Sequence, residues 1–193
     1  DRISDNNNFG LLERESHDLC ADRVDYSLRE LPQELAVSIY QGLTTAGGHI
    51  VCKDVNSASI YARAFLGLQT EHWGSYEGTS RYHNFSRVLR RALKLGVISQ
   101  EDFLVDDDCV VAKLKTSKDG PIHNALAVLR QKTIPPVSEG VVVYKKFRYI
   151  DPLFISRDGL ARLSEVDEEF VVLLEQAREQ NKKGILVQDL INE

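Results

Sequence analysis

The chain has 193 residues, 42% of them hydrophobic and 27% charged, the balance of an ordinary globular protein long enough to bury one core, alone or with a small appendage. Its formal net charge of −5 gives no general drive toward nucleic-acid backbones or anionic membranes, and no stretch approaches the roughly 20 apolar residues of a membrane-spanning helix. A signal-peptide pattern is absent, and three cysteines without C-x-x-C spacing (Cys20, Cys52 and Cys109) read as reduced thiols of a cytoplasmic protein. No methionine occurs, even at position 1, so Asp1 is expected to begin a piece of a longer chain.

The polar run Asp5 to Asn8 reads as a loop, with Phe9, Leu11 and Leu12 able to pin it to the core. A helix follows within Ser16 to Leu31, capped by Ser16 or Asp18. Val24, Leu28, Leu31 and Leu35 form its buried stripe, and Asp22, Tyr26 and Glu30 form a second, polar one. Spacing alone makes that polar face, with Asp25 and Arg29, a solvated surface. Tyr26 argues instead that something covers it, and Cys20 and Ala21 argue that Asp22 enters a crowded place, where a carboxylate needs a partner or a cation.

Pro32 breaks this helix and opens another, Gln33 to Leu43, followed by a loop from Thr44 to Gly48 and a strand from His49 to Lys53. Asn56 or Ser57 then caps a helix that presents Ile60, Ala64 and Leu68 on one face and ends at Gly74. The next helix, Glu77 to Leu95, turns Tyr82, Phe85, Val88, Leu89, Ala92 and Leu93 inward and its five cations to solvent. Ser99 and Asp102 have capping-box spacing, and Asp106 to Asp108 suit a helix N-terminus better than a calcium loop. A further helix starts at Asp119-Gly120-Pro121 and runs through Leu129. Val141 to Ile150 reads as a strand, Leu153 to Ile155 as its continuation, and Ser164 to Asn181 as a last helix with Phe170, Leu173, Leu174 and Ala177 inward, stopped by Gly184.

The run Ala21-Asp22-Arg23-Val24-Asp25-Tyr26-Ser27-Leu28-Arg29-Glu30 resembles the last motif of the HD-domain metal-dependent phosphohydrolases, especially the deoxynucleotide triphosphohydrolase branch. There a histidine, a His-Asp pair and a distant aspartate hold a divalent metal. The resemblance implies that Asp22 is that aspartate, that Arg23 contacts substrate phosphate, and that Tyr26 and Glu30 line the sugar. Glu30 stands where the branch commonly has aspartate.

His72 and Tyr76 resemble a histidine–tyrosine pair facing the nucleotide in that branch, although Leu68 occupies the place of its arginine and Gly74 interrupts the helix. Lys145 to Pro152 resembles the C-terminal part of uncharacterised HD-family hydrolases, and its basic, aromatic alternation suits a phosphate or a partner. His17-Asp18 is not taken as the metal pair, since it lies on the same helix as Asp22 and ligands must converge from several directions.

The expectation is a mostly α chain, an HD-domain-like bundle portion over residues 1–135 with a strand-and-helix appendage over 136–193. Its implied function is that of a fragment of a metal-dependent phosphohydrolase acting on a small phosphorylated substrate, a nucleotide being one candidate. No catalytic residue is assigned, and the divalent metal would need the missing N-terminal part of the domain. Homo-oligomers fit the family. The alternative is a catalytically inactive HD-like module that binds a nucleotide or protein through Arg23, Tyr26, His72 and Tyr76. A DNA-binding domain using Arg87 to Arg91 is disfavoured by the acidic balance.

Overall fold

The computed structural model describes residues 9–14 and 17–191. The polar run 5–8 and the proposed Ser16 cap lie outside the described residues. The chain is mostly helical, in the order α1 (Ala21–Glu30), α2 (Gln33–Gln41), β1 (Leu43–Ala46), β2 (His49–Cys52), α3 (Val55–Gly67), a π-helical turn (Leu68–Trp73) and α4 (Tyr76–Lys94). A 3-10 turn (Gln100–Leu104), α5 (Asp107–Thr116), α6 (Gly120–Leu129), β3 (Val141–Val143), β4 (Leu153–Ser156), β5 (Gly159–Arg162), a second 3-10 turn (Leu163–Glu165), α7 (Glu168–Lys182) and β6 (Ile185–Val187) complete it. No helix among the described residues is long and apolar enough to cross a membrane.

Two compact units form, one from Asp1–Gly74 with Lys146–Lys183 and one from Ser75–Lys145 with Gly184–Glu193. The boundary anticipated at 135/136 falls inside the second unit.

In the first unit, Tyr61 and Phe65 of α3 and Phe170 of α7 are fully buried, together with Ile150 and Leu163. Val24 and Leu28 of α1, Leu31 at its extended C-cap and Leu35 of α2 all pack against that core, so the stripe expected on one helix is divided at Pro32 between two. Asp167 caps α7 through the Phe170 N–H at 2.8 Å and also accepts from Arg63 and Ser59 of α3, so one carboxylate ties two helices. A four-stranded sheet runs in the order β1-β2-β4-β5, antiparallel at both hairpins and parallel between β2 and β4.

Three local expectations need correction here. Thr44 to Ala46 is a strand rather than a loop, because Gly47 and Gly48 both take positive φ and close a two-residue hairpin onto β2. The α3 cap is Asp54, which accepts from the Ser57 N–H at 2.8 Å, rather than Asn56 or Ser57. The side chains of Phe9, Leu11 and Leu12 are exposed; their segment contributes backbone instead, the Leu11 and Leu12 carbonyls accepting from the first N–H groups of α1.

The second unit packs α4 against α5 and α6 through Val88, Ala92, Leu114, Ile122 and Ala125. The expected Ser99/Asp102 capping box is present, and Asp106 and Asp119, expected at helix starts, are the caps of α5 and α6. Tyr82 is exposed rather than inward, with the Lys145 ammonium 5.4 Å from its ring centroid. The α4 cations are only partly a solvated face. Arg81 donates to Glu77 and to the Leu129 and Gln131 carbonyls, Arg87 to the Ile191 carbonyl, and Arg91 to both carboxylate oxygens of Asp119 at 2.8 Å.

The Arg91 hydrogen bonds hold the Asp119 carboxyl below the usual carboxylate range. A depressed folded-state pKa stabilises the fold fully above the unfolded value, about 4, and that contribution is lost as pH falls further. Acid titration of the thermal midpoint below about pH 4 should therefore fall less steeply in Asp119→Asn than in the native chain. Identical acid limbs would show that the pair contributes nothing.

The expected Val141 to Ile150 strand shrinks to β3, whose three residues pair antiparallel with β6. Residues 144–150 have no ladder. In α7, which starts at Glu168 rather than Ser164, Leu173 is exposed while Phe170 and Leu174 are buried.

Candidate functional site

Two faces of α1 do different things. Ser27 is fully buried and its hydroxyl lies 2.8 Å from that of Tyr61, which fixes α1 against α3 with both polar atoms satisfied. One residue earlier, Tyr26 stands on the polar stripe with Asp22 and Glu30. Its ring meets Trp73 edge-on at 5.4 Å and Phe65 at 6.1 Å, and Phe65 meets Trp73 at 5.3 Å. Aromatic rings pack on Tyr26 alone, and the carboxylates of the stripe, Asp22 and Glu30, stay exposed, so the face is flanked rather than covered. Burial pushes the Tyr26 phenol up, against the opposing pull of Arg23 and, more weakly, of Arg148.

The π-helical turn brings Trp73 and His72 to α1. The Gly74 N–H reaches the Gln69 carbonyl, five residues back, at 2.8 Å, and the widened turn re-aims the side chains along it. His72 Nε2 lies 3.2 Å from Glu30 Oε2, so the structure pairs two residues that the sequence places 42 positions apart. Gln69 is buried, and its side-chain oxygen accepts from the Arg148 N–H at 3.3 Å, which fastens the extended segment after Lys145 to the same turn.

A Cβ on Gly74 would be driven into the Gln69 carbonyl, a backbone atom that cannot swing aside. Gly74→Ala should cost about 2 kcal/mol, read from the urea midpoint, and should change the His72 side-chain resonances as the turn reopens. An unchanged midpoint with unchanged resonances would show that the turn yields freely.

Asp22 is exposed, which corrects the expectation that it enters a crowded place: Cys20 is the buried residue, and Asp22 one position past Ala21 points out. Arg23 is turned back along the chain. Its guanidinium donates to the Asp18 and Arg14 carbonyls and lies 3.6 Å from Glu13. Tyr76 begins α4 in the second unit and donates its hydroxyl to the Pro135 carbonyl at 2.8 Å. The structure thus joins Tyr26, Glu30 and His72 in one neighbourhood, with Asp22 on the same helix stripe.

His17-Asp18 has its own work. Asp18 accepts from Arg162 at 2.7 Å, and His17 stacks on Tyr149 with centroids 6.5 Å apart. Burial disfavours the Asp18 charge, but Arg162 outweighs it and holds the carboxyl below its usual range. Asp18 does not cap α1, whose N-cap is Cys20 without a side-chain bond.

Among the described residues no three His, Cys, Asp or Glu side chains converge as a metal site. Of the exposed α1 carboxylates, Asp25 is paired with Arg29 and Glu30 with His72, and with Asp22 they do not by themselves fit a divalent ion. Cysteine chemistry is not available at this face either. Cys20 and Cys52 are buried, and burial pushes the Cys52 thiol up to about 12, so it stays protonated at neutral pH.

An open groove of about 800 Å³ lies elsewhere in the first unit, lined by Val24, Leu28, Tyr40, Leu43, Ile50 and Lys53 among others, and contains none of the expected site residues. Sequence reasoning missed Gln69, Trp73 and Arg148 as parts of the site. Only the alternation of Lys146 and Arg148 with Phe147 and Tyr149 signalled the last of them.

No family model matches the chain. It is 27% identical over 199 residues to the uncharacterized protein YdhJ of Bacillus subtilis, an alignment covering 97% of this chain and 61% of YdhJ. It is 29% identical over 105 residues to the metal-dependent phosphohydrolase cns2 of Cordyceps militaris, covering 48% of this chain and 30% of cns2. The chain therefore spans less than two thirds of the length of either relative. Over about half of its own length it is similar to a metal-dependent phosphohydrolase.

Proposed function

We propose that this chain is the part of an HD-type metal-dependent phosphohydrolase that carries the last metal aspartate, and that it acts on a small phosphorylated substrate such as a nucleotide. The observation that carries the reading is the α1 polar stripe met by the π-helical turn: His72 pairs with Glu30 and Trp73 packs on Tyr26, on the stripe that begins with Asp22, in a chain similar in part of its sequence to such an enzyme. Asp22 would give the divalent ion one hard oxygen, and its remaining ligands, histidines among them, would come from outside the described residues. The chemistry such an ion would supply is activation of water and polarisation of the phosphoryl group. Tyr26, Glu30 and His72 bind and orient the sugar side of the ligand.

The test compares this chain with a form extended upstream by a domain's length of its natural sequence, by elemental analysis and by phosphate release from deoxynucleotides. Metal and phosphate release in the longer form, both lost in Asp22→Ala, are the expected results. Neither metal nor release in the longer form sinks the reading.

A second reading, a catalytically inactive module that binds a nucleotide or a protein, is favoured by one observation. The Arg23 guanidinium already donates to two backbone carbonyls. Nucleotide binding without metal in the longer form would decide for it.

A further inference from the structure

We infer that Arg148 is the phosphate-binding cation of this face, a role resting on the reading above that a phosphorylated ligand is bound there. The α1 polar side carries Asp22, Asp25 and Glu30, so an anion can settle there only against a nearby positive group. The other arginines at hand are committed. Arg23 serves the Asp18 and Arg14 carbonyls, Arg29 pairs with Asp25, Arg162 pairs with Asp18, and Arg14 serves the Gly10 and Gly48 carbonyls and His49. Arg148 is exposed, and no hydrogen bond or ion pair of its guanidinium occurs among the described residues.

Its position is built rather than incidental. Phe147 and Tyr149 on either side pack toward the core and stack on each other at 5.8 Å, and Arg178 lies 5.2 Å over the Tyr149 ring. Alternation along an extended segment then sends Arg148 outward. Its own N–H is held by the side chain of Gln69, three residues before His72 on the π-helical turn. Lys146 also points outward, but it has no such tie to the turn. A guanidinium near enough to Tyr26 to pull on its phenol, on a backbone braced to the turn that carries His72 and Trp73, offers two parallel donors to phosphate oxygens and loses little freedom in using them.

The experiment titrates the chain, without metal, with inorganic tripolyphosphate at low ionic strength. It follows the indole N–H resonance of Trp73, the one tryptophan of the sequence. The native chain should show a saturable shift. Arg148→Gln should bind about tenfold more weakly, the loss of one charge-assisted contact, with an unchanged thermal midpoint because the side chain holds nothing in the fold. Arg157→Gln, a change to an exposed arginine in the β4–β5 turn, should bind as the native chain does. Equal affinity in Arg148→Gln and native protein overturns the assignment of Arg148 while leaving a phosphate-binding face in place. No saturable shift in the native chain overturns both the assignment and the reading it rests on.

Discussion

Phe65→Ala is expected to lower the stability of the first unit by about 4 kcal/mol, the range for deleting a fully buried aromatic ring. Phe65 is 0% exposed and stands behind both Tyr26 and Trp73, so its removal opens a cavity under the candidate site as well as in the core. Urea unfolding followed by far-ultraviolet circular dichroism measures the first effect. Trp73 fluorescence measures the second and should shift to the red before unfolding as the indole loses its packing. A loss under about 1 kcal/mol would mean that the neighbouring rings collapse into the space and that the site does not depend on this wall.

Asn84→Leu should cost the second unit about 3 kcal/mol, the sum of unmet hydrogen-bond demand left behind. Asn84 is fully buried on α4; its amide donates to the Ser80 and Gln188 carbonyls, and its oxygen accepts from the Leu190 N–H at 2.8 Å. Leucine fills similar space and removes the bonds, leaving the Gln188 carbonyl and Leu190 N–H without their partner, each worth about 1–3 kcal/mol. Amide exchange at Leu190 should accelerate more than exchange in the middle of α6. Uniform acceleration would mean that Asn84 supports the whole unit rather than the segment after β6.

What could be read from the sequence was what short-range rules control. Val24 and Leu28 follow the helical period of α1, and the Ser99/Asp102 box and the helix starts at Asp106 and Asp119 are local chemistry within three residues. The pairing of β3 with β6 was not legible, because each strand is three residues long and they lie some 40 positions apart along the chain. Val141 to Ile150 looked like one strand from composition, but β6 begins only at Ile185, after the positive-φ turn at Gly184, and offers no ladder beyond Val143.

At the site, Tyr26 announced its covering rings by being aromatic on a charged stripe. The π-helical turn did not announce itself, since six residues are too few for a change of period to register, and so the Glu30–His72 pair stayed hidden. Asp22 and Arg23 were read as neighbours with related roles. The backbone carbonyls that take up Arg23 belong to an irregular segment whose path no periodicity predicts.

The first unit is interrupted between Gly74 and Lys146, and the second takes its last strand from beyond Lys183. During synthesis α3 therefore leaves the ribosome long before α7, whose Phe170 completes its core. At about 5–20 residues per second, that wait is roughly 5–20 seconds. Over that interval Tyr61 and Phe65 are without their α7 partners, so the nascent chain exposes apolar surface; the first unit cannot close before α7 has emerged, nor the second before β6 has.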